Sequence, residues 1–318
     1  MKTNLSLASI AFLCVFIISS CKKTNLDPVT PVTPVAEKIV AKAETDTTIK
    51  LPQDSLILTG KSGNPADTVV GYLWSQISGP TEASIKDESS SAAIARNLVA
   101  GKYIFQFMII DKKGLTAVDS VSVTVMPAQI TTLDLSPSNN SSEINLALLG
   151  TQDATNRASI EEPLAAWTIN GVPFTTRNLL KFDLSSIPAN ATIVSADLYM
   201  YSDTIPKNGD LIHANFGADN SFIVQQVATQ WDPSTVDWFN QPAGLTDNQV
   251  IAPTTPLPFL NMDINVKAIV SSMVSNNSNY GFKLQLQNEV EYTSRIFCSS
   301  NYVDVSRHPR LVVKYIKN

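Results

Sequence analysis

The sequence predicts an all-β protein made of two successive β-sandwiches, the second larger than the first. Three observations lead there. Apolar and polar residues alternate in short runs over most of the chain, as where Leu180, Phe182 and Leu184 are set among Lys181 and Asp183. Turn residues punctuate these runs, clearest at Gly79 with Pro80 and between Asp111 and Gly114. Helical spacing is confined to one short piece, Val266, Ile269, Val270 and Met273, which Asn265 is placed to cap.

At the start, Met1 to Ser20 has one early lysine, an apolar run from Ile10 to Ile18 and two small residues, the layout of a secretory signal. It falls short of the roughly 20 apolar residues of a membrane span. The ending Ile18, Ser19, Ser20, Cys21 resembles the lipobox of bacterial lipoproteins. That resemblance implies that Cys21 carries lipid and becomes the mature N-terminus, and Lys22 in place of an aspartate implies the outer membrane. In lipoproteins of the Bacteroidota, surface export goes with acidic residues after the cysteine. Lys22, Lys23, Thr24 and Asn25 stand there instead, so anchoring is the firmer expectation and surface exposure is left open. Of three cysteines, Cys14 lies in the signal and Cys21 takes lipid, which leaves Cys298 without an intrachain disulfide partner. Residues 21–41 then form the lipidated N-terminus and a linker, with Pro28, Pro31 and Pro34 favouring extended chain.

Residues 42–127 read as the smaller sandwich. Leu56 to Thr59 is a short strand; Tyr72 and Trp74 share a face, as do Tyr103, Phe105, Phe107 and Ile109, and Val121, Val123 and Val125. Set side by side, these residues resemble an immunoglobulin-like PKD domain. Tyr72 through Trp74 to Gly79 and Pro80 look like its central strand, and Asn97, Leu98, Gly101 and Tyr103 like its tyrosine corner. Trp74 is expected between the sheets rather than on a sugar.

Residues 130–318 read as the larger, jelly-roll-type sandwich. Thr176 to Leu184 is a half-buried strand stopped by Ser185 to Pro188. Ala191 to Tyr201 alternates again, with Ala196, Leu198 and Met200 on one face and Asp197, Tyr199 and Tyr201 on the other, and the two strands are expected to pair. Trp231 to Pro242 is turn-rich with two large anchors, Trp231 and Trp238. Tyr280 to Leu286 and Leu311 to Tyr315 alternate as further strands. Together with Asp263 to Val274, Phe297 to Ser300 and His308, these segments resemble a DNRLRE domain, related to the disaggregatase repeat and to carbohydrate-binding module family 96. The resemblance implies a glycan-binding role beside polysaccharide-degrading enzymes. Where typical members carry an aspartate-containing strand, this chain has Asn139, Asn140, Ser141 and Glu143, so the resemblance brings no acidic metal site; a structural calcium ion has no specifying motif.

Catalysis finds little support. The chain has two histidines, His213 and His308, neither at ligand spacing from a cysteine or another histidine. Asp232 and Asp237 could meet on a loop as a carboxylate pair, yet beside Pro233 and Trp238 they suit turn-ordering roles. A net charge of -5 argues against nucleic acid as a bulk partner. The expectation is therefore a non-enzymatic lipoprotein, anchored in the outer membrane by lipid, that binds polysaccharide without a cofactor; the alternative is an adhesin or assembly scaffold. Its expected contact face is a basic and aromatic platform suited to an anionic polysaccharide: Arg177 and Lys181 from one strand, Tyr199 from the next, with Arg295 as a further candidate.

Overall fold

A computed structural model describes residues 38–137 and 142–318. The signal peptide, Cys21, the proline-rich segment and Asn139 to Ser141 lie outside the described residues.

The first sandwich comprises β1 (Ala41–Ala43), β2 (Thr47–Lys50), β3 (Leu56–Ser62), β4 (Val69–Ser78), β5 (Ser84–Lys86), β6 (Ala92–Arg96), β7 (Gly101–Asp111) and β8 (Thr116–Met126). They form two four-stranded sheets, in the orders β1-β3-β6-β5 and β2-β8-β7-β4, with β2 running parallel to β8. The alternation read from the sequence sets the core: Tyr103, Phe105, Phe107 and Ile109 of β7 and Val121, Val123 and Val125 of β8 are all buried. Trp74 is buried against Phe107, with ring centroids 4.7 Å apart, so it packs between the sheets. The Tyr103 hydroxyl accepts a hydrogen bond from the Val99 N–H at 3.0 Å, which ties β7 back to the preceding corner as in immunoglobulin-like folds. A Cβ on Gly79 would come within 2.4 Å of the Tyr103 ring, so this turn takes glycine for closeness of approach.

The second sandwich comprises β9 (Ile130–Leu135), β10 (Glu143–Leu149), β11 (Gln152–Asp153), β12 (Glu161–Ile169), β13 (Val172–Leu180), β14 (Thr192–Met200), β15 (Asn215–Phe216), β16 (Phe222–Val227), β17 (Gly244–Ala252), β18 (Met262–Asn265), the helix α1 (Lys267–Ser275), β19 (Phe282–Leu286), β20 (Thr293–Cys298) and β21 (Arg310–Ile316). One sheet of nine strands runs β15-β20-β12-β13-β19-β16-β17, with β10 and β11 off this path; the other runs β18-β14-β21-β9. A hairpin absent from the sequence reading joins β12 to β13 through Asn170 and Gly171, both at positive φ (51° and 79°) as a two-residue hairpin turn requires.

Two expectations are corrected. The strand around Arg177 begins at Val172 and ends at Leu180, so Phe182 and Leu184 are buried without being strand residues. The strands carrying Leu180 and Leu198 do not pair; they belong to different sheets. Their apolar sides meet across one core shared with Leu164, Phe222, Phe282, Leu284, Phe297 and Leu311. Alternation marks which side of a strand is buried, and face-to-face packing satisfies it as well as edge-to-edge pairing does. The helix closes one end of this core with Ile269, Val270 and Met273 buried, and the Asn265 side chain accepts the N–H of Lys267 at 3.0 Å.

The strand β13 lies at a fork. On one side β10 pairs with it from Phe174 to Leu180; on the other, β12 covers Val172 to Thr176 and β19 covers Asn178 to Leu180. Where β12 leaves, the Pro163 carbonyl accepts hydrogen bonds from side chains: Thr176 Oγ1 at 2.7 Å, Asn178 Nδ2 at 3.3 Å and Asn145 Nδ2 at 3.4 Å. These buried polar groups take the place of a strand ladder, as a carbonyl away from water requires. The cysteine left over in the sequence, Cys298, is a free buried thiol, pushed up to about 12 by burial.

Candidate functional site

The platform expected from the sequence does not assemble. Arg177 is committed on the outer side of β13: its guanidinium grips both carboxylate oxygens of Glu289 at 2.7 and 2.9 Å, donates to Gln241 Oε1 at 3.3 Å, and stacks 4.5 Å from the Trp238 ring. That outer face is roofed by the Trp231 to Pro242 segment over a small second core of Ile144, Leu146, Leu179, Val227 and Val236. Within the roof, Asp232 accepts the Ser234 N–H and Asp237 the N–H groups of Phe239 and Asn240, so both aspartates order turns. Tyr199 lies on the other sheet, directly opposite Arg310, whose guanidinium sits 5.5 Å from its ring while paired with Asp134 at 2.9 and 3.0 Å. Burial first, then the Asp263 charge, raises the Tyr199 phenol.

Arg295 is fully buried between Phe222 and Phe297, at 5.1 and 5.8 Å, and donates to the Pro253 carbonyl at 3.1 Å. Burial lowers it to about 10. It is a core residue because β20 turns it, with Thr293 and Phe297, toward the inside of the sandwich. Lys181 alone lines an open groove of about 550 Å³, together with Asp183, Ser185, Asn277, Asn279 and Tyr280. His308 holds the Tyr302 carbonyl through Nε2 at 2.8 Å, at the entry to β21.

A different surface has the character of a binding site. Trp167 near the end of β12, Phe216 at the end of β15 and Tyr292 just before β20 come together from three separate segments. The Trp167 ring meets Phe216 at 5.4 Å and 70°, and Tyr292 at 5.2 Å and 88°, both edge-to-face. His213 stacks near-parallel on Phe216, 6.5 Å away and 19° off, and is held by Asp210 at Nδ1. Phe216 is 37% exposed and Tyr292 49%, and Leu211 and Ile212 beside His213 are exposed as well. Local backbone fixes the assembly: Tyr292 sits at φ 64°, and a Cβ on Gly217 would fall 2.7 Å from Thr293 Oγ1, so the chain after Phe216 lies tightly on β20. An exposed patch of aromatic and aliphatic side chains edged by a carboxylate and an imidazole is the kind of surface that recognises a ligand.

Residues 43–125 match the model of the K319L-like PKD domain, and residues 166–315 match that of carbohydrate-binding module family 96. The chain is 35% identical over 85 residues to the dyslexia-associated protein KIAA0319-like protein of Mus musculus, and 31% identical over 93 residues to the low-density lipoprotein receptor-related protein 11 of Homo sapiens. These alignments cover 27% and 29% of this chain but only 8% and 19% of those proteins. The solution structure of the PKD domain from KIAA 1837 protein is 31% identical, covering 27% of this chain and 85% of that one with a TM-score of 0.26. The chain thus carries a PKD-like immunoglobulin-type domain followed by a β-sandwich that matches carbohydrate-binding module family 96.

Proposed function

We propose that the protein is a non-catalytic, lipid-anchored glycan-binding protein whose second sandwich, residues 130–318, takes polysaccharide across the surface of Trp167, Phe216 and Tyr292. The observation that carries this reading is that the family 96 match, residues 166–315, encloses all three rings. Ring faces bury the apolar C–H side of a sugar while Asp210 and His213 offer polar partners to its hydroxyls. The first sandwich, residues 42–127, serves as a spacer, and lipid on Cys21 holds the chain at the outer membrane. An anionic glycan would draw on Lys181 in its groove, since Arg177 and Arg295 are committed elsewhere.

A glycan array on the purified protein, followed by titration of each hit against Tyr292→Ala and Trp167→Ala, tests the site. Selective binding that weakens at least about tenfold in folded Tyr292→Ala, equivalent to ~1.4 kcal/mol, is the expected result. Unchanged binding by both folded variants would remove this surface from the reading, and a blank array would remove the glycan. Loss of uronate binding alone in Lys181→Ala would bring the groove into the site.

A further inference from the structure

We propose that the aromatic surface of Trp167, Phe216 and Tyr292 selects a glycan bearing free amines, a polymer of de-N-acetylated amino sugar; the inference rests on the reading that this surface binds glycan. The ring group has the shape for it. Phe216 and Tyr292 stand 70° and 88° from the Trp167 plane, with centroids at 5.4 and 5.2 Å. A flat ribbon of neutral sugar is matched by coplanar rings, whereas rings near right angles offer walls in two directions, which suits a compact group such as an ammonium. Electron-rich ring faces attract a cation, and the chain's own stacked arginines lie elsewhere, over Trp238, Phe222, Phe297 and Tyr199.

The polar edge points the same way. His213, stacked 19° off Phe216, engages Asp210 Oδ2 through Nδ1. With the Nδ1 proton directed at the carboxylate, the neutral ring leaves Nε2 as an acceptor. Among the described residues, nothing bonds that Nε2 or the second Asp210 oxygen, Oδ1, and the two side chains are 41% and 22% exposed. Glu291, exposed beside Tyr292, has no partner among the described residues either. No lysine or arginine among them pairs with Asp210 or Glu291. The edge therefore consists of acceptors and negative charge, and its ligand must bring donors and positive charge. An ammonium supplies three N–H donors and the charge at once; an N-acetyl group has one donor and no charge, and a uronate or sulfate would meet like charge. The chain's net charge of -5 favours the same partner.

Oligomers of one length and one β-1,4 linkage, built of glucosamine, N-acetylglucosamine, glucose or a uronate, are titrated into the full chain by calorimetry below the amine's pKa, at low and at high salt. The glucosamine oligomer should bind at least about tenfold tighter than the N-acetylglucosamine or glucose oligomer, and the preference should shrink as salt rises. Asp210→Asn keeps an oxygen for the His213 Nδ1–H, so it should fold and lose most of that preference, while folded Trp167→Ala should lose affinity for the glucosamine oligomer. Glucose or N-acetylglucosamine bound as tightly as glucosamine, with the binding lost in Trp167→Ala, would overturn the amine and leave the glycan surface standing. Glucosamine binding untouched in both Trp167→Ala and Tyr292→Ala, or binding of none of the oligomers, would overturn the proposal together with the surface beneath it. A lysine oligomer of equal charge bound as tightly would overturn the sugar.

Discussion

Lys283 lies on β19 beside Leu179 and Gln225, under the roof of the Trp231 to Pro242 segment, and is only 6% exposed. Its ammonium has one hydrogen bond, to the Pro242 carbonyl at 3.2 Å. Burial, followed by the neighbouring Arg177 charge, lowers it from 10.5 to about 8, with Glu289 opposing. At ~1.4 kcal/mol per pH unit this drop amounts to about 3 kcal/mol of cost to the folded state at neutral pH. Residual screening by solvent trims it to about 2 kcal/mol. Lys283→Met keeps the length and removes the charge, while the lost hydrogen bond takes back about 1 kcal/mol. The variant should therefore be more stable at pH 7 by ~1 kcal/mol. Because the folded value lies below the unfolded one, the wild type gains stability as pH rises from about 8 to 10.5, where the unfolded chain holds the extra proton. The variant should lose that rise. Urea unfolding at pH 7, 8 and 9.5, followed by fluorescence of Trp167, Trp231 and Trp238, reads both effects. A less stable variant at pH 7, or one with the same gain between pH 8 and 9.5, would show that the charge is not held out of water.

Two further outcomes are expected, the first from the geometry and the second from the resemblance of Ile18 to Cys21 to a lipobox. Tyr103→Phe deletes the hydroxyl that receives the Val99 N–H and should destabilise the first sandwich by about 1–2 kcal/mol in thermal or urea unfolding; no change would mean that water serves Val99 equally well. Cys21→Ser should move the protein from the membrane pellet to the soluble fraction, and a fully processed variant still in the pellet would speak against the lipid anchor.

The fold was legible wherever one side of a strand carries the apolar residues. Trp74, Tyr103 and the valines of β8 are buried as their spacing implied, and the resemblance to a PKD domain draws on this first sandwich. Alternation does not say what a strand packs on. That is why β13 and β14 looked like partners, and why the polar side of β13 looked free although Trp231 and Trp238 roof it. In the same way, an arginine in a strand reads as a surface cation, while aromatic neighbours, the Pro253 carbonyl, Asn220 Oδ1 and the Met262 sulfur keep Arg295 inside. The aromatic surface is not legible in the sequence because Trp167, Phe216 and Tyr292 are far apart along the chain and none belongs to an obvious pattern. The Asn170 with Gly171 turn was the available signal: it fixes the hairpin that sets Trp167 beside the strand leading from Tyr292.

The fork at β13 divides labour within one sheet. The trunk of β10, β13, β19 and β16 supplies the continuous ladder, while the branch of β12, β20 and β15 carries the aromatic rings and leaves the trunk at Pro163. Since Asn145, Thr176 and Asn178 close the gap with side chains, the branch has its own hydrogen-bond terminus and does not depend on the trunk's register beyond Ala165. Insertions in the 203–214 connection, whose bonds go to Ile296 and Glu161 of the branch, would load the branch and leave the trunk's pairing intact. The surface that meets a ligand can thus change its outline across descendants of this chain while the scaffold beneath keeps its sequence.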